Sequence, residues 1–199
     1  MKQFRTLIFS VLLTVLAGTV TESAAQILRV GAGLDFSTGA DFNSNQSGNP
    51  GFKAKTWISL DKRSSFHIVP SVSAYNRNTL GEGALAIKNY MIQGDLNGQY
   101  DVYADNTLKT IVFAGGNFTY MMSTVHIDPK YVDYYPNAPE NQTDYAFGGN
   151  IGAGLELRMG PRWDMNVSAK YLFSKYSQFI LSVEGVYYFK SRRRSYRRR

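Results

Sequence analysis

Residues 87–103 read Ile-Lys-Asn-Tyr-Met-Ile-Gln-Gly-Asp-Leu-Asn-Gly-Gln-Tyr-Asp-Val-Tyr. From Tyr90 onward, every second residue belongs to one set: Tyr90, Ile92, Gly94, Leu96, Gly98, Tyr100 and Val102. Between them stand Gln93, Asp95, Asn97, Gln99 and Asp101. Side chains alternate across a strand, so this period of two describes a β-strand with one apolar and one polar face. Strands of ordinary globular proteins average about 5–6 residues, whereas a tilted strand crossing a bilayer needs roughly 9–11. The stretch is long enough to cross.

The same pattern recurs on both sides of it. Three strands are predicted before it, over 27–36, 52–60 and 66–75, and four after it, over 110–122, 146–158, 163–174 and 179–190. Leu28, Val30, Ala32, Leu34 and Phe36 form the apolar face of the first strand, and Phe179, Leu181, Val183, Gly185, Tyr187 and Phe189 that of the last. The strand over 110–122 carries Val112, Ala114, Gly116, Phe118 and Tyr120 on one face, but Ile111 and Phe113 on the other. Connections alternate in length. The longer ones cover 37–50, 76–86 and 123–145; the shorter ones cover 61–65, 104–109 and 159–162, with a further short loop near 175–178. Short turns at one end and longer loops at the other are the habit of membrane barrels. Pro70 lacks the N–H that an interior strand donates, so a bulge is expected there.

The other face is polar and charged at mid-strand: Asp95 and Asp101 in the fourth strand, and Asn150, Glu156, Arg158, Asp164, Asn166, Lys170, Ser182 and Glu184 in the last three. A soluble ligand-carrying barrel would turn its apolar face inward. Charges of both signs suit instead a polar lumen inside an apolar wall. Aromatics gather at strand ends. Phe66, Tyr100, Trp163, Tyr187 and Phe189 mark one rim, and Phe36, Tyr90, Tyr120, Phe147, Phe173 and Phe179 the other, as girdles at headgroup level do. The chain therefore reads as an all-β, eight-stranded, antiparallel up-and-down transmembrane barrel over residues 26–190. Hairpin geometry then places Arg158 across from Asp164 and Lys170 close to Glu184, two lumen ion pairs.

Residues 1–25 read as a secretory signal, with Lys2 and Arg5 before an apolar run over 7–20 and small residues Ser23-Ala24-Ala25 before Gln26. That apolar run falls short of the roughly 20 residues a spanning helix needs. The formal charge of +7 is a property of the ends. Residues 190–199 hold seven bases and no acid, while 26–189 hold thirteen bases against fourteen acids. A near-neutral body excludes a nucleic-acid-binding domain. There is no cysteine, hence no disulfide or thiolate metal site. No cofactor is expected.

The mature chain resembles the small outer-membrane barrels of the OmpA/OmpX type over residues 26–190. Such barrels end on an aromatic; Gly185, Tyr187 and Phe189 are similar, but here the chain runs on through a basic tail, 191–199. The resemblance implies a porin-like barrel domain in the outer membrane of a Gram-negative bacterium, with both mature termini periplasmic. It also implies a non-enzymatic role, structural or through surface loops, with a narrow channel at most. Outer-membrane lipid is the expected surrounding. Loops 37–50 and 123–145 offer contact to an extracellular partner, with Tyr131, Tyr134 and Tyr135 as anchors. Arg192, Arg193, Arg194, Arg197, Arg198 and Arg199 suit an anionic periplasmic surface. The alternative is a lipid-modifying barrel enzyme, a lipid A deacylase or acyltransferase, using His126 at the outer rim beside Ser123, Asp128 and Glu140. A deacylase is expected to carry Ser two residues after its His, and Asp128 stands there. The Gly31-Ala32-Gly33, Gly115-Gly116 and Gly148-Gly149 runs lack the Lys and helix of a phosphate loop.

Overall fold

Eight strands follow one another around a closed ring: β1 (Gln26–Thr38), β2 (Asn49–Ser59), β3 (Phe66–Leu80), β4 (Leu85–Ala104), β5 (Leu108–Ile127), β6 (Gln142–Arg158), β7 (Trp163–Phe173) and β8 (Gln178–Tyr188). All neighbours are antiparallel, and β1 closes on β8 from Arg29 opposite Tyr188 to Thr38 opposite Phe179. This computed structural model describes residues 26–38, 49–59, 65–80, 85–127, 130 and 141–189. The leader 1–25, the basic tail with its six arginines, Asp128, Glu140 and Tyr131, Tyr134 and Tyr135 lie outside the described residues.

The alternation read from the sequence settles inside and outside. Gln93, Asp95, Asn97 and Gln99 are buried in the lumen, while Leu96, Tyr100 and Val102 are exposed on the wall. An exposed apolar exterior around a buried polar interior is the inverse of a soluble fold and suits hydrocarbon outside. Ile111 and Phe113, the apolar residues on the wrong face of β5, point inward. Ile111 is fully buried, and the Phe113 ring packs where a Cβ on Gly152 would sit, 2.5 Å away. Gly31 does the same for Trp57, whose ring stands 3.0 Å from the place of a Cβ. Missing side chains on one strand thus make room for large ones on the strand beside it.

The ends differ. At the turn end, Asp105 Oδ1 accepts the amides of Thr107 and Leu108 at 2.6 and 2.7 Å, which closes the β4–β5 hairpin and holds the Asp105 carboxyl below its usual range. Met159 and Gly160 amides both donate to the Trp163 carbonyl, closing β6–β7. The chain enters β1 and leaves β8 at this same end. At the loop end β4 and β5 run on as a pair to Leu85 opposite Ile127.

Two expectations need correction. β5 reaches Ile127, so Ser123 and His126 lie on the strand and not in a loop. Cross-strand pairing with Asn89 and Ala86 carries the strand onward there. Pro70 makes no bulge. The β2–β3 ladder lapses between Lys55–Ser71 and Ile58–Ile68 and resumes in the same register. Pro70 still pairs with Leu96 on its other side, so the missing N–H costs a ladder rung without displacing the strand. Register shifts occur instead between Ile27 and Arg29, Tyr75 and Asn78, and Asp101 and Tyr103.

A ring with no free edge opens only by breaking a whole ladder at once. The folded protein should therefore stay closed in cold dodecyl sulfate and migrate differently on a gel before and after boiling. Equal mobility of both samples would mean that the ring is not closed.

Candidate functional site: the charged lumen

The residues available for chemistry or transport are the inward ones, and most of them hold each other. Near the turn end, Arg29 of β1 is buried against the face of Trp57, 4.4 Å from its centroid, and 5.4 Å from that of Tyr188. Its Nη1 donates to both oxygens of Glu156 at 2.5 and 2.6 Å. The Tyr188 hydroxyl donates to the same carboxylate at 2.5 Å. Lys109 bridges Glu156 at 3.4 Å and Asp101 at 3.1 Å. Asp101 in turn meets His67 Nε2 at 3.3 Å and accepts from Gln99 at 3.2 Å. The Gln99 carbonyl accepts the Trp57 indole N–H at 3.0 Å. The network draws side chains from β1 to β6 and β8 into one plug.

His67 also meets Ser59 through Nδ1 at 2.5 Å, so Ser59, His67 and Asp101 touch in series. The order is that of a hydrolytic triad, but the surroundings are not. Ser59 is sealed in the lumen, and the Asp101 carboxylate is shared with Lys109 and Gln99. A substrate carbonyl has no approach to Ser59, and the trio reads as part of the plug.

At mid-height lies a second charge cluster. Glu184 meets Lys53 at 3.3 Å and Lys55 more closely still, and Lys53 stands 3.7 Å from Asp35. Asp35 accepts from Ser73 at 2.8 Å and Tyr75 at 3.3 Å. Lys170 donates to Asp95 at 2.5 Å. Asp95 also accepts from Asn117 at 2.6 Å and Ser71 at 3.2 Å. Toward the loop end the lumen turns apolar. Tyr75, Met91 and Ile180 pack together with Met121 leaning on them, and Gln178 meets Ser37 beside them. What space remains among Lys53, Lys55, Ser71, Asn97 and Gln99 is a cavity of about 20 Å³. That is room for about one water, which needs roughly 10–15 Å³.

The four lumen residues expected from the sequence separate here. Arg158 and Asp164 are cross-strand partners in β6 and β7. Both line an open vestibule of about 260 Å³ at the turn end, together with Lys109, Glu156 and Asp105. Lys170 and Glu184 are both buried in the lumen but are not partners. Lys170 lies across from Ile180, and Glu184 across from Asn166. The cause is the β7–β8 turn. Ser174 Oγ accepts the Tyr176 amide at 3.0 Å, and Ser177 Oγ donates to the Ser174 carbonyl at 2.8 Å. That turn pivots the hairpin earlier than a loop centred on Tyr176 and Ser177 would. The displacement is an even number of residues, so both side chains keep their face and change only their partners. Arg29, Asp35, Lys53, Lys55, His67 and Lys109 were missed as lumen groups. Their signal was phase, since each lies opposite in parity to the apolar face of its strand.

Of the four residues of the enzyme alternative, Ser123 and His126 are described. Ser123 and His126 are three residues apart on one strand, and odd spacing sends side chains to opposite faces. Asp128 and Glu140 lie outside the described residues. Among the described residues no cluster of three or more His, Cys, Asp or Glu side chains suits a metal ion.

No protein-family model matches the chain, and no curated protein matches its sequence. Solved structures match its fold. The attachment invasion locus protein Ail of Yersinia pestis, in complex with the heparin analogue sucrose octasulfate, aligns with a TM-score of 0.56 at 12% identity, over 80% of this chain and 95% of that one. Neisserial surface protein A aligns at 0.55 and 12%, over 82% and 97%. The outer membrane protein OprG of Pseudomonas aeruginosa aligns at 0.52 and 10%, over 85% and 97%. The chain has the fold of a small eight-stranded outer-membrane β-barrel. At these identities the fold is what they share.

The pairing makes a sharp test. Removing one partner of a buried ion pair costs about 3–5 kcal/mol. Lys170→Met should destabilise the folded barrel by about that much, and adding Asp95→Asn should recover part of the loss. The combination of Lys170→Met with Glu184→Gln should instead be close to additive. Urea unfolding in phospholipid vesicles, followed by tryptophan fluorescence, gives the free energies of the wild type and the five variants. Additivity for the Lys170–Asp95 pair would refute the contact.

Proposed function

We propose that this protein is a non-enzymatic barrel of the bacterial outer membrane, a solid scaffold whose loops meet the outside. The observation that carries the reading is the filled lumen. Salt bridges plug its turn end, an apolar cluster caps its loop end, and the cavity between holds about one water. Among the described residues a hydrated ion has no continuous path. An eight-stranded ring is just wide enough for side chains to fill, and here they do.

The mature chain begins at Gln26 after export in this reading, both termini lie in the periplasm, and the turn end faces inward. The longer connections, within 37–50 and 123–145, then face the medium. Tyr131, Tyr134 and Tyr135 supply rigid amphipathic surface to an extracellular partner at low entropic cost. The binding of a heparin analogue by Ail supports the idea that a barrel of this shape can carry a ligand. The six arginines after Ser191 touch anionic lipid or cell-wall polymer on the periplasmic side.

Two measurements test the proposal. The purified protein in planar bilayers should give no sustained conductance above the lipid background. Steady open-channel current from the wild type would overturn the solid-scaffold reading. Epitope tags placed within 37–50 or 123–145 should be labelled on intact cells, while a tag after Arg199 should be labelled only after permeabilisation. The reverse pattern would invert the orientation.

A further inference from the structure

The lumen cations Arg29, Lys53, Lys55, Lys109 and Lys170 each meet a carboxylate. Arg162 does not. It is exposed in the β6–β7 turn, and its side chain makes one hydrogen bond among the described residues: Nη1 donates to the Tyr187 hydroxyl at 3.3 Å. Its carbonyl accepts the Tyr188 amide at 2.9 Å, which ties the turn to the end of β8. Below the guanidinium, the Tyr187 ring lies 4.9 Å from that of Trp163 and 5.9 Å from that of Phe189. Trp163 and Phe189 are exposed on the outer wall. The Trp163 indole N–H has no acceptor among the described residues.

A fixed cation above an outward aromatic shelf sits where hydrocarbon gives way to headgroups. The guanidinium fork matches two phosphate oxygens at once. Holding it on the Tyr187 hydroxyl lowers the freedom lost on binding. With no carboxylate partner among the described residues, the guanidinium leaves the site a net positive charge. A zwitterionic headgroup brings a cation of its own and neutralises that charge poorly, whereas a net-negative one neutralises it well. We infer that Arg162, Tyr187 and Trp163 form a binding site for the headgroup phosphate of an anionic phospholipid, in the leaflet that meets the turn end. The inference rests on the membrane-barrel reading above.

The chain carries its own reporter. It has two tryptophans. Trp57 is sealed in the lumen, at 0% exposure, and Trp163 stands on the wall at 55%. The full chain is reconstituted in phosphatidylcholine vesicles with a minor fraction of phosphatidylglycerol, and either lipid carries bromine on its acyl chains close to the headgroup. Contact with bromine quenches Trp163 and leaves Trp57 as a constant background. At equal mole fraction, brominated phosphatidylglycerol should be enriched around Trp163 about fivefold over brominated phosphatidylcholine, the equivalent of about 1 kcal/mol for one basic residue at an anionic surface. Arg162→Gln should abolish the preference and leave quenching by phosphatidylcholine unchanged, with heat modifiability intact. Tyr187→Phe should reduce the preference. Equal quenching by both lipids in the wild type would overturn the inference, as would a preference that survives Arg162→Gln, since the basic tail would then be its source. If neither lipid quenches Trp163, the membrane-barrel reading fails, which is a separate result.

Discussion

Hydrocarbon offers no hydrogen bonds, so every backbone N–H and C=O inside it must be paired within the protein. Closure of β1 on β8 meets that demand in one step, and much else follows from it. Eight strands make a ring too narrow to leave open space and too wide to leave empty. Each strand must alternate, because one face meets lipid and the other meets the opposite wall. Polar side chains inside then have no bulk water to turn to, and they must satisfy one another.

The way they do so explains the order of the lumen. Burying a charge alone is expensive, so each carboxylate is shared. Glu156 takes Arg29, Lys109 and the Tyr188 hydroxyl; Glu184 takes Lys53 and Lys55; Asp95 takes Lys170, Asn117 and Ser71. Sharing ties strands that are not neighbours in the sheet. The contact from Arg29 to Glu156 spans β1 to β6, and the one from Lys170 to Asp95 spans β7 to β4. The ladder fixes neighbours, and the lumen network braces the ring across its diameter. The inward glycines belong to the same packing problem, because Gly31 and Gly152 yield the space that Trp57 and Phe113 fill.

The wall and the two rims follow a different rule. The outer wall is apolar, and close aromatic contacts, Tyr171 with Phe173, Trp163 with Tyr187 and Phe118 with Phe147, lie on that surface. At the loop end, Asp144 gathers the exposed Lys175 and the buried Tyr176.

The period of two was enough to decide the strand count, the fold class and the inside–outside parity of nearly every described strand. The physical reason is that parity survives any even slip of register, and lipid on one face penalises every odd one. Strand ends were legible less well. Propensity does not say how far β5 runs beyond the bilayer, and its pairing with β4 carried Ser123 and His126 out of the expected loop. Of the expected lumen pairs, the cross-strand register of Arg158 and Asp164 was legible and that of Lys170 and Glu184 was not. Lys170 and Glu184 were read correctly as inward but joined wrongly, because a short serine turn shifted the hairpin pivot. Contacts such as Arg29 with Glu156, 127 residues apart, depend on how the whole ring staggers when it closes. Parity is a local property of each strand and can be read from it; stagger belongs to the closed ring, so only the tertiary structure decides which charges meet.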